Sequence, residues 1–360
     1  MKIITTVGMS LILNSEIPFD KTLEQEEFRE SLFEERDIKN LEASLFGFVN
    51  QKGAIASAEL ASLDKIDQRG KAEIHLLCTE TVLSHLCGRV LQKKLGERAK
   101  IHVVKGLQVK DLVKFKREGV SNLLCAIERI AQHGTYWEDV VLNITGGYKA
   151  IVPIMTIIGQ VQKLSTYYIF QENDDSKYDL IEMPRMPVDF RVEVFERFAD
   201  EFERFGEKGD GVLEKSSLSN DFLEACAGCL EVDGETVAVN SVGKILWWNF
   251  QQQIFLFSCP ENVWREAQKQ ERLMEYFKQS FTKKDLREFH NKVEDTHKTM
   301  MKKPNDSLRI YWFADNEQVF VYKTFEDHDA HEQFIQKVQF NESYKQQVIQ
   351  SSKPIRLKIK

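Results

Sequence analysis

The sequence predicts a multidomain chain of α/β and α+β class whose first half is a parallel sheet covered by helices on both faces. Three observations lead there. The chain has 360 residues, too many for one ordinary core. Up to about residue 185, apolar β-rich runs alternate with amphipathic helical stretches. The pattern then breaks at Pro184 and Pro187 and changes again near residue 250. The expected divisions are 1–188, 189–250 and 251–360.

In the first division "KIITTVGMSLIL" reads as a strand, 28–64 as mostly helical, and "AEIHLLCT" as a strand. "TVLSHLCGRVLQKKLG" is a helix closed by Gly96, followed by strand "KIHVVKGL" and the long helical stretch "VKDLVKFKREGVSNLLCAIERIAQHG". "EDVVLNIT" is a strand, "KAIVPIMTIIGQVQKL" a helix and "STYYIFQ" a strand. Helices of this length between strands are the crossovers of a parallel sheet. In 189–250 a helix precedes a hairpin signalled by Asp233-Gly234, the outline of a winged helix. Its helix "SNDFLEACAGCLEVDGE" is acidic, so this piece reads as a structural connector rather than a DNA reader. The last division predicts a strand "QQIFLFSCP", helices over 261–301, two strands around "ADNE", a helix "HDAHEQFIQKVQ" and a basic tail.

Bulk properties narrow the class. Hydrophobic content of 42% and charged content of 29% describe a soluble globular protein. No apolar stretch approaches the ~20 residues of a membrane helix, and the N-terminus has no cleavage-site pattern, so a cytoplasmic location is expected. Six cysteines without framework spacing fit a reducing compartment. Cys226 and Cys229 form a C-x-x-C with no further ligands at zinc spacing, which reads as two small residues on a helix; no metal and no cofactor are expected. Residues 281–360 carry 15 Lys plus Arg against 12 Asp plus Glu, whereas the remainder is acidic, a weak hint of nucleic acid.

"NITGGYKA" (143–150) places Gly146 and Gly147 between a buried strand and a buried helix, with Lys149 beside the helix start. Ligands of open α/β sheets bind outside the carboxyl ends of the strands, and a helix N-terminus suits an anion. The spacing is neither a dinucleotide fingerprint nor a Walker loop. Taken alone, it serves equally as a structural turn or as a phosphate site. The first strand, exiting through Gly8, Ser10 and Asn14, should lie at the same sheet end.

Taken together, "VG-M-SLILN", "SAELASL", "LLCTET" and "NITGGYKA" resemble the CARF domain, a CRISPR-associated Rossmann fold, over about residues 1–185. The resemblance implies a Rossmann-like sensor of cyclic oligoadenylates that forms a homodimer with one ring on its two-fold axis. Cyclic tetra-adenylate is the first expectation and the hexamer the second. The implied ligand residues are Gly8, Met9, Ser10, Leu11, Thr79, Thr145, Gly146, Gly147 and Lys149. Met9 stands where a small hydroxyl residue is common in the family.

Such sensors carry an effector. The spacing does not fit a HEPN ribonuclease, because Arg287 is separated from His290 and His297 by two and nine residues rather than four to six. No Asp with a following Glu-x-Lys pair supports a restriction-type nuclease. "KKPNDSLRIYWFADNEQVFVYKTFEDHDAHEQFI" instead resembles the RelE family of ribosome-dependent mRNA interferases. That resemblance implies a RelE-like domain in which a ribose 2′-hydroxyl attacks the adjacent phosphate without a metal. Arg309 would stabilise the phosphoryl charge, with Lys302, Lys303 and Lys323 as further cations or plain surface charges. Tyr311 would stack on a base, and His328 and His331 would transfer protons or simply lie exposed in an acidic helix start. His290 and His297 are expected to be structural. Strand alternation is expected to put Arg309, Tyr311 and Phe313 on an open concave face and Leu308, Ile310 and Trp312 on the core.

Two functions follow. One is a ligand-gated endoribonuclease acting on ribosome-bound mRNA, with no membrane partner. The other is a ligand-controlled transcriptional regulator built on the winged-helix outline.

Overall fold

The computed structural model describes residues 1–24, 26–107, 112–131, 137–147, 149–171, 178–187, 193–208, 211–294, 296–301, 307–316 and 318–359. The chain separates into two units, Met1–Asn249 and Phe250–Lys360.

The first unit is built on a six-stranded sheet: β1 (Lys2–Thr6), β2 (Glu73–Thr79), β3 (Ala99–Val104), β4 (Val140–Asn143), β5 (Ser165–Gln171) and β6 (Tyr178–Glu182). The spatial order is β3-β2-β1-β4-β5-β6, and β1 to β5 run parallel. β6 returns antiparallel on β5, an edge strand that the alternation of strands and helices did not predict. Consecutive residues of β1 serve opposite faces. Ile3 joins a cluster with Leu45, Leu60 and Leu86, whereas Ile4 joins Leu123, Ile127, Met155 and Ile158. Helices Arg36–Lys52, Ala58–Ile66 and Val82–Leu95 supply the first cluster, and Val120–Ile130 and Ile151–Val161 the second. The parallel sheet is therefore buried on both faces, as its near-continuous apolar strands require.

"KIITTVGMSLIL" is not one strand. β1 stops at Thr6, and "SLILNS" forms the helix Ser10–Ser15 with Leu11 and Ile12 buried. A short apolar run fits strand and helix periodicity alike, and tertiary packing decides. The rest of this unit holds β7 (Val212–Glu214), β8 (Leu230–Asp233) and β9 (Thr236–Val239) in the order β7-β9-β8, with the predicted hairpin at Gly234. The half-buried Lys244 of helix Ser241–Gln251 donates to the carbonyls of Lys116 (2.8 Å) and Arg117 (2.5 Å) in a π-helical turn over Phe115–Gly119. Burial pushes its amine down to about 8. Burial also pushes the Cys226 thiol up to about 12 and raises that of Cys229, so both stay protonated.

The second unit is a mixed six-stranded sheet: β10 (Ile254–Pro260), β11 (Asn291–Glu294), β12 (His297–Met301), β13 (Arg309–Asp315), β14 (Gln318–Phe325) and β15 (Ser352–Lys358). Its order is β11-β12-β13-β14-β10-β15, antiparallel except where β10 meets β14. Two expectations are corrected here. The stretch expected to be helical to 301 is helical only to Phe289 and then forms the β11–β12 hairpin. The basic tail folds into helix Glu342–Ser351 and the edge strand β15. Pro354 and the exposed Lys353 and Lys358 suit an edge, where they discourage pairing with another chain. Among the described residues no helix is long and apolar enough to cross a membrane.

One stability prediction arises from the first sheet. His75 on β2 is 5% exposed, with Nδ1 2.9 Å from Nε2 of His102 on β3. Desolvation pushes His75 down to about 4 and lowers His102 as well. Between about pH 6.5 and 4 the unfolded chain binds a proton at this position that the native chain refuses. Stability should therefore fall as pH falls through that window, by about 1.4 kcal/mol per pH unit for such a histidine. The urea midpoint should drop from pH 7 to pH 5, and His75→Gln should flatten that drop. A midpoint that holds or rises would contradict it.

Candidate functional site

The turns after β1 and β4 meet at one end of the first sheet. They border a cavity of about 460 Å³ lined by Val7, Gly8, Met9, Ser10, Thr145, Gly146, Gly147, Lys149 and, from neighbouring elements, Leu13, Glu24, Glu59, Thr81 and Ser84. Helices Ala58–Ile66, Val82–Leu95 and Ile151–Val161 all begin at this end, so partial positive charge from three N-termini faces it. Lys149 is exposed and lies in the turn two residues before its helix, rather than within the first helical turn.

The two glycines do different jobs. An added Cβ on Gly146 would sit 2.3 Å from Glu59 Oε1 and 2.4 Å from the Thr6 carbonyl oxygen. Gly147 has φ of +92°, which side-chain-bearing residues avoid. Gly8 is equally pressed, since its Cβ would lie 2.6 Å from the Gly147 nitrogen. The Thr6 hydroxyl donates to the Gly146 carbonyl, fastening one turn to the other. Asn143, fully buried, donates to Thr5 Oγ1 and Ser62 Oγ at 2.7 Å each, and its Oδ1 accepts the Thr145 hydroxyl at 2.7 Å. The Thr145 oxygen in turn accepts from the Ile169 N–H at 3.0 Å.

Glu59, with Thr81 and Ser84, is among the cavity residues that the sequence did not mark. It is 1% exposed, and its carboxylate accepts the Gly8 N–H at 2.8 Å and the Ser10 hydroxyl at 2.5 Å. The only signal for it was its place in the first turn of a helix capped by Ser57, where a carboxylate suits the dipole. Two expected ligand residues are displaced by the fold. Leu11 is 1% exposed and belongs to the core beneath the short helix. Thr79 is 1% exposed and supports the wall from behind, sharing a hydrogen bond with Thr81 at 2.9 Å and donating its N–H to Ser84 at 3.0 Å. Thr81 and Ser84, not Thr79, line the cavity.

In the second unit, β13 is covered on both faces. Ile310 and Trp312 pack with Phe257, Phe277 and Phe281, whereas Tyr311 and Phe313 pack with Phe325, Phe334, Tyr344 and Val348. The open concave face is thus corrected: Arg309 is 5% exposed and Tyr311 is fully buried, with no face left for a base. Tyr311 is covered by helix His328–Lys337 through His331 and Phe334, and the stretch expected as a basic tail adds helix Glu342–Ser351, whose Tyr344 and Val348 join the same cluster. Around the start of helix His328–Lys337 the chain gathers several of the expected groups. His331 is 1% exposed and stacks on Tyr311 and on the exposed His328, at 6.0 and 5.5 Å between ring centroids. Phe325, the cross-strand neighbour of Arg309, meets His331 at 6.2 Å. Lys323 is half-buried, 3.8 Å from Glu266 and 5.6 Å from the Phe325 ring centroid. Lys302 and Lys303 lie outside the described residues. His297 is fully buried, donating from Nε2 to the Val338 carbonyl (2.6 Å) and accepting from the Tyr322 hydroxyl (3.0 Å), a structural pairing.

With both sites described, comparison with known proteins adds one finding. Residues 54–186 match the model of a family described as CRISPR-associated protein (Cas_APE2256). The match covers just over a third of the chain and includes Glu59, Thr81, Ser84 and the glycine turn, but not Gly8 to Ser10. It supports a CRISPR-associated protein with a role in CRISPR defence. No curated protein matches the chain.

Proposed function

We propose that the protein is a cyclic oligoadenylate-activated endoribonuclease of CRISPR defence that cleaves mRNA on the ribosome. The observation that carries the sensing half is the cavity at the carboxyl end of the parallel strands. Glycines at 8, 146 and 147 let the turns after β1 and β4 close on one another and shape the cavity wall, three helix starts favour anions, and Lys149 supplies a cation. The ligand is a ring of adenylates, with the tetramer preferred, shared between two copies of the chain about a two-fold axis. The binding residues are Gly8, Met9, Ser10, Thr145, Gly146, Gly147 and Lys149.

The effector half is supported by the resemblance of its strands to RelE-type toxins and by the stacking of His328 on His331, whose ring meets Phe325, the cross-strand neighbour of Arg309. The ribose 2′-hydroxyl attacks its own phosphate, and no metal enters the step. Arg309 stabilises charge on the phosphoryl oxygens, and His328, exposed at the helix start, takes or returns the proton. Because Arg309 is buried, this state is the inactive one, and ring binding must shift the start of helix His328–Lys337 for RNA to reach the guanidinium.

Calorimetry with cyclic tetra-adenylate tests the sensing half. One ring should bind per two chains, and Lys149→Ala should weaken binding tenfold to a hundredfold, the effect of losing a charge-assisted contact worth ~1.5–3 kcal/mol. Since Lys149 is exposed, folding should be untouched. Unchanged affinity for both the tetramer and the hexamer would remove this cavity as the ligand site.

A further inference from the structure

We propose that His328, His331 and Glu332 form a binding site for a borderline-soft divalent cation of the zinc type, and that its occupancy inhibits the proposed ribonuclease. The three residues occupy positions i, i+3 and i+4 of helix His328–Lys337, so they share one face of its first turns. One ligand atom from each lies within 4.8 Å of the other two. The His331 Nδ1 is 3.7 Å from Glu332 Oε1. Tetrahedral zinc, with bonds of 2.0–2.2 Å, needs its ligand atoms about 3.3 Å apart. His331 is fixed by burial against Tyr311 and Phe325, whereas His328 is exposed and Glu332 half-buried. Side-chain rotation of the two mobile ligands around the fixed one closes the gap without moving the helix.

The surroundings attract a cation. Four carboxylates fall within 326–332: Glu326, Asp327, Asp329 and Glu332. Asp327 is committed to capping the helix, accepting the Asp329 N–H at 3.0 Å. Glu326 Oε1, two residues before His328, is buried and has no hydrogen-bond partner among the described residues. Two imidazoles with one carboxylate select zinc, or cobalt as its spectroscopic substitute, over magnesium, which demands oxygen ligands in an octahedron. An imidazole nitrogen bound to the metal has no lone pair left to accept a proton. Occupancy would therefore silence His328 as a proton carrier and hold the helix start in place.

The inhibition rests on the function proposed above, but the binding does not, and the experiment separates them. Full-length protein stripped with a chelator is titrated with Zn²⁺ alone against a chromophoric competitor, and with Co²⁺ while visible absorption is recorded. The expected result is a site that gives the d–d bands of four-coordinate cobalt and weakens at least tenfold in both His328→Ala and Glu332→Gln. His331 is left intact because its removal opens the core. Binding of equal strength in the double variant, or octahedral cobalt bands only, would overturn the site. In the second arm, Zn²⁺ should suppress ring-stimulated cleavage of ribosome-bound mRNA. Glu332→Gln should need at least tenfold more Zn²⁺ for the same suppression. Binding without suppression would overturn the inhibitory role while leaving the site. Absence of any cleavage without Zn²⁺ would instead count against the function on which that role rests.

Discussion

Gly146→Ala is expected to lower affinity for cyclic tetra-adenylate by at least a hundredfold, about 2.7 kcal/mol. The new methyl would meet the Thr6 carbonyl and the Glu59 carboxylate, and neither can retreat. Thr6 is a β1 residue held in register with Leu77 of β2. Glu59 is held by the Gly8 N–H and the Ser10 hydroxyl, so displacing it undoes the other wall of the cavity as well. The same clash should destabilise the fold by ~1–3 kcal/mol, the usual cost of overpacking a closed site. Gly47→Ala provides the contrast. Gly47 lies inside helix Arg36–Lys52, and a methyl there meets nothing within 4 Å. It should stabilise by roughly 0.5–1 kcal/mol through helix propensity and leave ring binding unchanged. Calorimetry and denaturant melts of both variants check the pair. Parental affinity in Gly146→Ala would mean that the turn yields easily and does not shape the site.

Arg309→Ala is expected to reduce ring-stimulated cleavage by ~10²–10³, the effect of losing a donor aimed at developing charge. Arg309 is buried at the start of β13, with one guanidinium nitrogen donating to the Leu308 carbonyl at 3.1 Å. Truncation there also threatens the second unit, so the loss must be separated from unfolding. Arg309→Lys keeps the charge and most of the volume but not the planar fork, and should still lose more than tenfold in rate while melting close to the parent. Ring affinity should be parental in both variants. Cleavage at near the parental rate by Arg309→Lys, saturated with ring, would make Arg309 a packing residue and nothing more.

The parts of this molecule legible in its sequence are those where local pattern and global fold agree. β2, β4 and the helix Val82–Leu95 follow from apolar runs bounded by turn residues. So does the existence of the glycine turn, because Gly146-Gly147 beside Lys149 breaks an apolar run between strand and helix. What was not legible depended on partners distant in sequence. Glu59 looks like an ordinary first-turn acid until the chain brings Gly8 and Ser10 to it across some fifty residues. Leu11 and Thr79 lie next to cavity residues in sequence, but the helix at Ser10 and the turn at Thr81 rotate them away. The exposed face expected for Arg309 and Tyr311 failed for a similar reason. Alternation along β13 gives two faces, but whether the second is open depends on how two helices farther along the chain, His328–Lys337 and Glu342–Ser351, pack back on it.

The central claim, a ring-gated ribonuclease acting on translating ribosomes, is tested most directly by mapping mRNA 5′ ends in a reconstituted translation system. The purified protein is added with and without cyclic tetra-adenylate, and naked message is run in parallel. The account predicts new ends within the translated region only when ring, protein and ribosomes are all present. Equal cleavage without the ring, equal cleavage of naked message, or no cleavage in any arm despite measured ring binding would contradict it.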